Sequence, residues 1–374
     1  MRALRNIFNL GVKELRSLLR DPIMLILIVW AFTFSIYTAA TAMPETLHKA
    51  PIAIVDEDRS PLSLRITDAF YPPYFLPPIQ ITPAEMDARM DAGLDTFALH
   101  IPAGFQRDLL AGRNPALQLN VDATRMGQAF TGSGYVQAIV TGEVSEFVQR
   151  HRAENVLPVA LQLRARFNPE LNQTWFGAVM ELVNRITMLS IILTGAAVIR
   201  EREHGTVEHL LVMPVTPFEI MSAKVWAMAL VVLVSSAFAL SVVVEGALAV
   251  PIEGSRALFL LGVTLHLFAT TSMGIFLGTV ARTMPQFGLL MMMTLLPLQI
   301  LSGGMTPWES MPEVVQFLMQ AAPTTHFVAL SQAILYRGAG VEVVWPQFLG
   351  LAVIGAALFV FSLARFRKTL ASMA

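Results

Sequence analysis

Long uncharged runs recur along the chain at the length that a bilayer requires. The first lies between Ile23 and Met43 and reads ILIVWAFTFSIYT at its centre. About 20 apolar residues, each rising ~1.5 Å in a helix, match a hydrocarbon core of ~30 Å. The pattern predicts a polytopic α-helical membrane protein with about six transmembrane helices, the first over residues 22–43 and the rest within 176–374. The later apolar runs lie at 186–199, 225–244, 257–281, 286–301 and 347–364.

Residues 1–21 have a different pattern, because apolar side chains recur there at helical spacing opposite basic ones. Leu4, Ile7 and Leu18 represent the apolar side, and Arg5 and Arg16 the basic one. A basic amphipathic helix before a span is typical of an interfacial helix that contacts membrane lipid on the cytoplasmic leaflet. Packing on a protein partner is an alternative, and the two are compatible.

The stretch 44–175 contains no span and alternates between strand-like and helix-like segments. This alternation predicts an inserted periplasmic domain, α/β or α+β, between the first and second transmembrane helices. The predicted strands lie at 52–55, 79–81, 97–101, 117–121 and 159–167, and the predicted helices at 61–70, 83–92, 104–111 and 128–151.

Two features of this domain allow a functional and a structural interpretation. Asp56, Asp58, Asp122 and Arg125 follow predicted strands, where ligand groups often cluster, but turn chemistry explains such residues more simply. The segment 71–78, YPPYFLPP, is either a loop packed on the domain or an exposed contact for another envelope protein.

Lysine and arginine in the short loops predict the orientation. One side carries a clear excess, which places both termini in the cytoplasm and makes the number of spans even. Ala40-Thr41-Ala42 resembles a signal-peptide cleavage site, but the apolar run is long and about twenty residues precede it. The residues on the basic side are Arg2, Arg5, Lys13, Arg16, Arg20, Arg200, Arg202, Lys224, Arg282, Arg365, Arg367 and Lys368, against Arg256 and Arg337 on the other.

Composition narrows the function classes. The chain is 55% hydrophobic and 14% charged, and its net charge of -1 gives no electrostatic reason to expect nucleic acid as a partner. It contains no cysteine, which excludes disulfides, thiolate metal sites and cysteine nucleophiles. No catalytic motif or phosphate-binding G-x-x-x-x-G-K-[ST] loop occurs, so no catalytic residue, cofactor or metal is expected in this chain. The weak metal candidate, His204 with Glu208, lies in a charged loop.

Few ionisable residues fall inside the predicted spans. Glu181 and Arg185 stand one helical turn apart and can neutralise each other. Glu245 lies near a span end, and only His266 is expected to lie deep, where a bond to a Ser or Thr hydroxyl is the common arrangement. An ion-coupled transporter is therefore a poorly supported alternative, and a transport protein of this kind needs an external motor.

The loop 200–224 and several later segments carry a family resemblance. The sequence E-R-E-H-G-T-V-E-H-L-L-V-M-P, from residue 201, resembles the signature after the second span in ABC-2-type transporter permeases. The segments 301–307, 323–327 and 101–112 are similar to further family motifs. The likeness covers essentially the whole chain and indicates a bacterial inner-membrane permease of the exporter branch. Taken alone, the loop reads equally well as an ordinary cytoplasmic connector.

The resemblance implies a transmembrane subunit that a separate ABC ATPase drives, with ATP bound by that partner. The coupling residues would be Glu201, Glu203, Gly205, Thr206 and Glu208. The interrupted region 302–340 would be a re-entrant helix pair that forms an outer gate at Gly303, Gly304, Pro307 and Pro323. An ordinary surface loop is the alternative for that region.

The implied partners complete this interpretation. They are the ATPase, a second copy or a homologous permease, a periplasmic adaptor protein and an outer-membrane channel. The expected cargo is small amphiphilic or toxic compounds, and Gly274-x-x-x-Gly278 could support close helix packing. The alternative from another class is a membrane-anchored sensor or scaffold whose outside domain binds a ligand or an envelope partner.

Overall fold

The computed structural model describes residues 2–42, 47, 49–122, 126–151, 173–203, 214–306 and 308–371 of the 374-residue chain. Internal contacts divide the chain into two compact units. The helical unit comprises Met1–Met43 with Ala165–Ala374, and the inserted unit comprises Pro44–Arg164. The predicted strand at 159–167 lies outside the described residues.

The described residues of the helical unit are mostly helical. A nine-residue π-helical segment, Ala239–Ala247, continues α9 directly. The helices are α1 (Arg2–Leu19), α2 (Pro22–Phe32), α3 (Phe34–Ala42), α8 (Gln173–Glu203), α9 (Pro217–Phe238), α10 (Arg256–Val280), α11 (Met284–Ile300), α12 (Glu313–Met319), α13 (Pro323–Leu335) and α14 (Val341–Ala371).

Five helical segments of the described residues are long and apolar enough to span a membrane. They are Pro22–Thr41, Thr174–Glu203, Pro217–Ala247, Arg256–Val280 and Val341–Thr369. The apolar run predicted at 286–301 forms the shorter helix α11, which has 17 residues. Its length of about 25 Å is less than a ~30 Å hydrocarbon core. The predicted number of six spans is therefore not confirmed.

Close packing of α8 against α10 depends on glycine. An added Cβ at Gly274 would overlap Thr194 and the Ile191 backbone, and one at Gly278 would come within 2.9 Å of the Gly195 carbonyl oxygen. In a membrane the hydrophobic effect does not drive helices together, because lipid tails are as apolar as the side chains. Small residues let two helix backbones approach closely, so that van der Waals packing holds them together. The Gly274-x-x-x-Gly278 pattern thus supports helix packing, as predicted, and does so inside one chain.

A buried polar seam lies along the same pair of helices. The Thr187 hydroxyl lies 2.8 Å from Nε2 of His266, and the Ser190 hydroxyl donates to the Thr270 hydroxyl over 2.7 Å. The His266 ring is fully buried and stacks on Phe327 of α13 at 4.0 Å. The interpretation of His266 as a hydroxyl-bonded buried histidine is confirmed, and the ring joins α10 to α13.

The described residues of the inserted unit form a four-stranded sheet with helices. Its elements are β1 (Ile52–Asp56), α4 (Pro61–Asp68), β2 (Ile79–Gln80), α5 (Pro83–Asp91), β3 (Phe97–Ile101), α6 (Phe105–Leu110), β4 (Gln118–Val121) and α7 (Met126–His151). The strand order is β2-β1-β3-β4, with β1 parallel to β2 and β3, and β4 antiparallel to β3. The central strands β1 and β3 are buried, which explains their continuous apolar sequences.

The acidic residues at the end of β1 satisfy backbone donors. Asp56 accepts hydrogen bonds from the amides of Asp58 and Arg59 and from the Ser63 hydroxyl. Asp58 accepts one from the Gln106 amide. The interpretation as local turn chemistry is confirmed for Asp56, whereas Asp58 binds the start of α6, 48 residues further along the chain. Asp122 donates its amide to the Thr96 carbonyl, and Arg125 lies outside the described residues.

The segment 71–78 packs on its own unit through one ring. Phe75 is fully buried and makes edge contacts with Phe70 and Phe97. Tyr71 is 62% exposed at the same time. The loop interpretation is thus confirmed at Phe75, and the contact with an envelope partner stays a prediction.

The glycine contact between α8 and α10 gives a test of the helical core. Gly274→Leu should lower the free energy of unfolding by about 1–3 kcal/mol, because the new side chain forces the two helices apart. Gly288→Leu is the matched control, since no atom lies within 4 Å of a Cβ at that position. Denaturant unfolding of the purified protein in detergent measures both. Equal midpoints for Gly274→Leu and the parent would contradict this packing.

Candidate functional site

A lysine lies buried where three helices meet. The Lys224 side chain, about two turns into α9, is only 2% exposed. Its Nζ lies 2.9 Å from Oε1 of Glu14 in α1 and 2.9 Å from Oε2 of Glu201 in α8. Lys13 reaches the other oxygen of Glu201 at 3.5 Å, from a half-exposed position. We refer to Lys13, Glu14, Glu201 and Lys224 as the charge cluster.

The composition of the charge cluster explains why it can be buried. Two ammonium groups face two carboxylates, so the formal charges sum to zero. Removing one partner of a buried ion pair costs about 3–5 kcal/mol, because the remaining charge stays out of water without a counterion. The cluster therefore holds α1, α8 and α9 together at this point.

Helix α1 is fixed along α9 by further contacts. Asn6 donates to the Glu219 carboxylate over 3.1 Å, and the Trp226 indole donates to the Ile7 carbonyl over 3.2 Å. A Cβ at Gly11 would overlap the Trp226 ring, so glycine permits this close approach. The helix therefore packs on its own chain, and packing on a protein partner stays a prediction. Its contact with lipid stays a prediction, to which the exposed Leu4, Phe8 and Leu19 are suited.

The last turn of α8 contacts five neighbouring helices through four consecutive residues. Arg200 pairs with Asp21, which caps the start of α2, and Glu201 joins the charge cluster. Arg202 donates to the Ala281 carbonyl at the end of α10. Glu203 accepts from the backbone amide of Met284, the first residue of α11, over 3.2 Å. We call residues 200–203 the helix hub.

The predicted coupling residues therefore occupy different environments. Glu201 is engaged inside the chain, whereas Glu203 is exposed at the end of α8. Gly205, Thr206 and Glu208 lie outside the described residues. Sequence reasoning missed Glu14 and Lys224 as functional candidates, although a lone lysine two turns inside an apolar helix was a usable signal.

The predicted gate residues lie on an interrupted connection between α11 and α13. Gly303 has a φ of +89°, a conformation that favours glycine, and Gly304 lies against the Met180 sulfur. Pro323 is the first residue of α13 and is buried, and Pro307 lies outside the described residues. Helix α12 presents exposed apolar side chains at Val314, Phe317 and Leu318. The helical backbone is thus interrupted after α11 and continues as the short helices α12 and α13 before α14. The role of this region as a gate stays a prediction.

Comparison with known proteins decides the family. A family model described as "ABC-2 family transporter protein" matches residues 22–364. The chain belongs to this family. ABC-2 membership makes it a transport permease and not an enzyme.

Named relatives match nearly the whole length of this protein. It is 64% identical over its full length to "Inner membrane transport permease YhhJ" of Escherichia coli strain K12, and that protein is also fully covered. It is 28% identical to "Probable multidrug ABC transporter permease YbhR" of the same organism, over 95% of this chain and 96% of the relative. These matches and the apolar helices support a multi-pass protein of the inner membrane.

The charge cluster predicts an asymmetric response to mutation. Lys224→Met should destabilise the ABC-2 chain by about 3–5 kcal/mol, because Glu14 and Glu201 would then face each other with only Lys13 nearby. Lys13→Met should cost less than about 1 kcal/mol, since that side chain is 53% exposed. Unfolding midpoints in detergent measure the difference. If both variants unfolded with the same midpoint, the cluster would not be what fixes α1.

Proposed function

We propose that this chain is the permease subunit of an ATP-driven exporter that moves small amphiphilic or toxic compounds out across the inner membrane. A separate ABC ATPase subunit would supply the energy, because no phosphate-binding loop motif occurs in the sequence. Family membership carries the transporter class, and the names of the multidrug relatives support export of such compounds. The functional unit would be a homodimer or a heterodimer with a homologous permease.

In the proposed topology both termini are cytoplasmic and the inserted unit is periplasmic. The Lys and Arg bias of the short loops supports this orientation. An even number of crossings then requires α11 to be the sixth. A helix somewhat shorter than the hydrocarbon core is accommodated by local thinning of the bilayer, at a modest cost.

The helix hub is the structural support for the coupling role of the loop 200–224. In this proposal residues 204–214, with Gly205, Thr206 and Glu208, seat in the ATPase, and the exposed Glu203 lies at their border. A displacement of that segment would move the end of α8, because the segment follows α8 directly in the chain. Because residues 200–203 contact α2, α10, α11 and the charge cluster, the displacement reaches those helices without passing through lipid.

At the other end of the transport path, the connection 302–340 would form a re-entrant outer gate. Non-helical backbone at membrane depth persists where protein or a water-filled cavity surrounds it. The inserted unit would dock a periplasmic adaptor protein, which in turn meets an outer-membrane channel. Its short, exposed edge strand β2 leaves backbone groups for such a contact.

Single substitutions in the loop test the coupling role. Glu203→Ala and Gly205→Trp should each reduce ATP-dependent export by tenfold or more, while membrane insertion and co-purification with the permease partner persist. Asp91→Ala, which removes an exposed carboxylate in the inserted unit, is the matched control and should export normally. The measurement is dye efflux from proteoliposomes that contain the permease and its ATPase, at equal protein amounts.

Three results, from that experiment or from purification of the protein, would contradict the proposal. Normal export by both loop variants would remove the coupling role. Loss of export on dissipating the proton gradient at constant ATP would favour an ion-coupled transporter. Purification without any ATPase, combined with ligand binding by the inserted unit, would favour the sensor or scaffold.

A further inference from the structure

A cavity of about 240 Å³ opens at the end of α8 that lies opposite the helix hub. The first helical residues of α8, including Trp175 and Phe176, form one wall. The C-terminal end of α13 and the residues just after it, including Tyr336 and Arg337, form another. Pro251, from the connection between the π-helical segment and α10, closes a third side.

The aromatic walls are held to each other. The Phe176 and Tyr336 rings stack with centroids 5.9 Å apart and an interplanar angle of 22°. The Tyr336 hydroxyl donates to the Phe176 carbonyl over 2.9 Å, so the polar end of that ring is satisfied. The rings therefore present a fixed apolar surface, and Phe176 is 41% exposed beside it. Such a surface suits an aromatic ring or an alkyl chain.

The rim of the cavity carries a positive charge. Arg337 is exposed, and it is the charged residue among the described residues that line the cavity. Within the described part of the chain its guanidinium has no ion pair or hydrogen bond. Glu253 contacts this region through its backbone, since its amide donates to the Leu335 carbonyl over 3.1 Å. A guanidinium with free donors binds carboxylate, sulfonate or phosphate groups well.

The volume limits what can enter. Pockets for drug-sized molecules measure about 300–1,000 Å³. This cavity is smaller, so it accommodates one ring or the end of one chain, with the remainder of the ligand outside. Apolar walls and a cation at the rim require the two parts of the ligand to differ in polarity.

We propose that this cavity binds the apolar end of an anionic amphiphile, whose charged group pairs with Arg337. The ring or chain end would lie between Trp175, Phe176 and Tyr336. A membrane phospholipid and a free surfactant-like compound share this chemistry. The binding itself is independent of transport, and only its extension to cargo rests on the proposed function.

Quenching of Trp175 by a bromine-labelled ligand tests the site directly. The full-length protein is placed in nanodiscs of zwitterionic lipid and titrated with 11-bromoundecanoate or, as the uncharged match, 11-bromoundecanol. The signal from Trp175 is the difference between the parent and Trp175→Phe. The acid should quench this signal saturably and at lower concentration than the alcohol.

Variants of Arg337 separate charge recognition from apolar burial. A charge-assisted hydrogen bond contributes about 1.5–3 kcal/mol, so Arg337→Gln should weaken binding of the acid about tenfold or more and leave the alcohol unchanged. Arg337→Lys should give an intermediate affinity. Arg367→Gln, which removes an exposed arginine near the other end of α14, should change neither ligand's affinity.

The outcomes are distinct. Absence of a saturable Trp175 signal, equal affinity for acid and alcohol, or an unchanged acid affinity in a folded Arg337→Gln variant would overturn the proposal. Nanodiscs that contain phosphatidylglycerol identify the source of the natural ligand. If this lipid competes with the acid, the ligand is a phospholipid, and if it does not compete, the ligand is a free amphiphile. No ATPase is present, so a failure here leaves the exporter proposal standing, and a failure of export leaves the binding result standing.

Discussion

Lys224 carries an ammonium group into a place from which the protein excludes water, and the arrangement of the surrounding helices follows from that constraint. A buried ammonium is stable only with carboxylates at contact distance, and here they come from α1 and α8. Helix α1 is amphipathic, and Glu14 adds a buried ion pair to its other contacts with α9. Because Glu14 satisfies Lys224, the N-terminal helix is an integral part of the helical unit.

The helix hub extends this constraint around the end of α8. Consecutive residues of an α-helix point about 100° apart, so four in a row cover the whole circumference. Arg200, Glu201, Arg202 and Glu203 use this geometry to contact elements on every side. Two of them bind helix termini electrostatically: Arg202 meets the carbonyl end of α10 and Glu203 the amide end of α11. Each charge thus has the sign that the dipole of the contacted helix favours.

Local signals in the sequence predicted much of the fold. The strands expected at 52–55 and 97–101 are β1 and β3, because their apolar runs end at nearby turn residues, and the Gly274 pattern marked a close helix contact. The charge cluster could not be predicted in this way, since Glu14 and Lys224 are 210 residues apart and no local pattern pairs them. For the same reason the contacts of Glu201 with Lys13 and Lys224 are not expected from the sequence, and its coupling role stays a prediction. The span count also depends on α11, whose apolar run resembles a full span although the helix has only 17 residues.

The packing of α8 against α10 gives the two ends of the helical unit a physical connection. Between the helix hub and the aromatic cavity, the glycine contacts and the hydroxyl pairs of the polar seam join the two helices along their length. Separating this pair would be costly, because it would expose buried hydroxyls to an apolar environment without partners. His266 joins the pair to α13 through its stack on Phe327. Helix α13 begins at Pro323 beside the interrupted connection and ends at the cavity. Packed helices therefore join the hub to both the connection and the cavity, and this continuity is what supports the proposed coupling role.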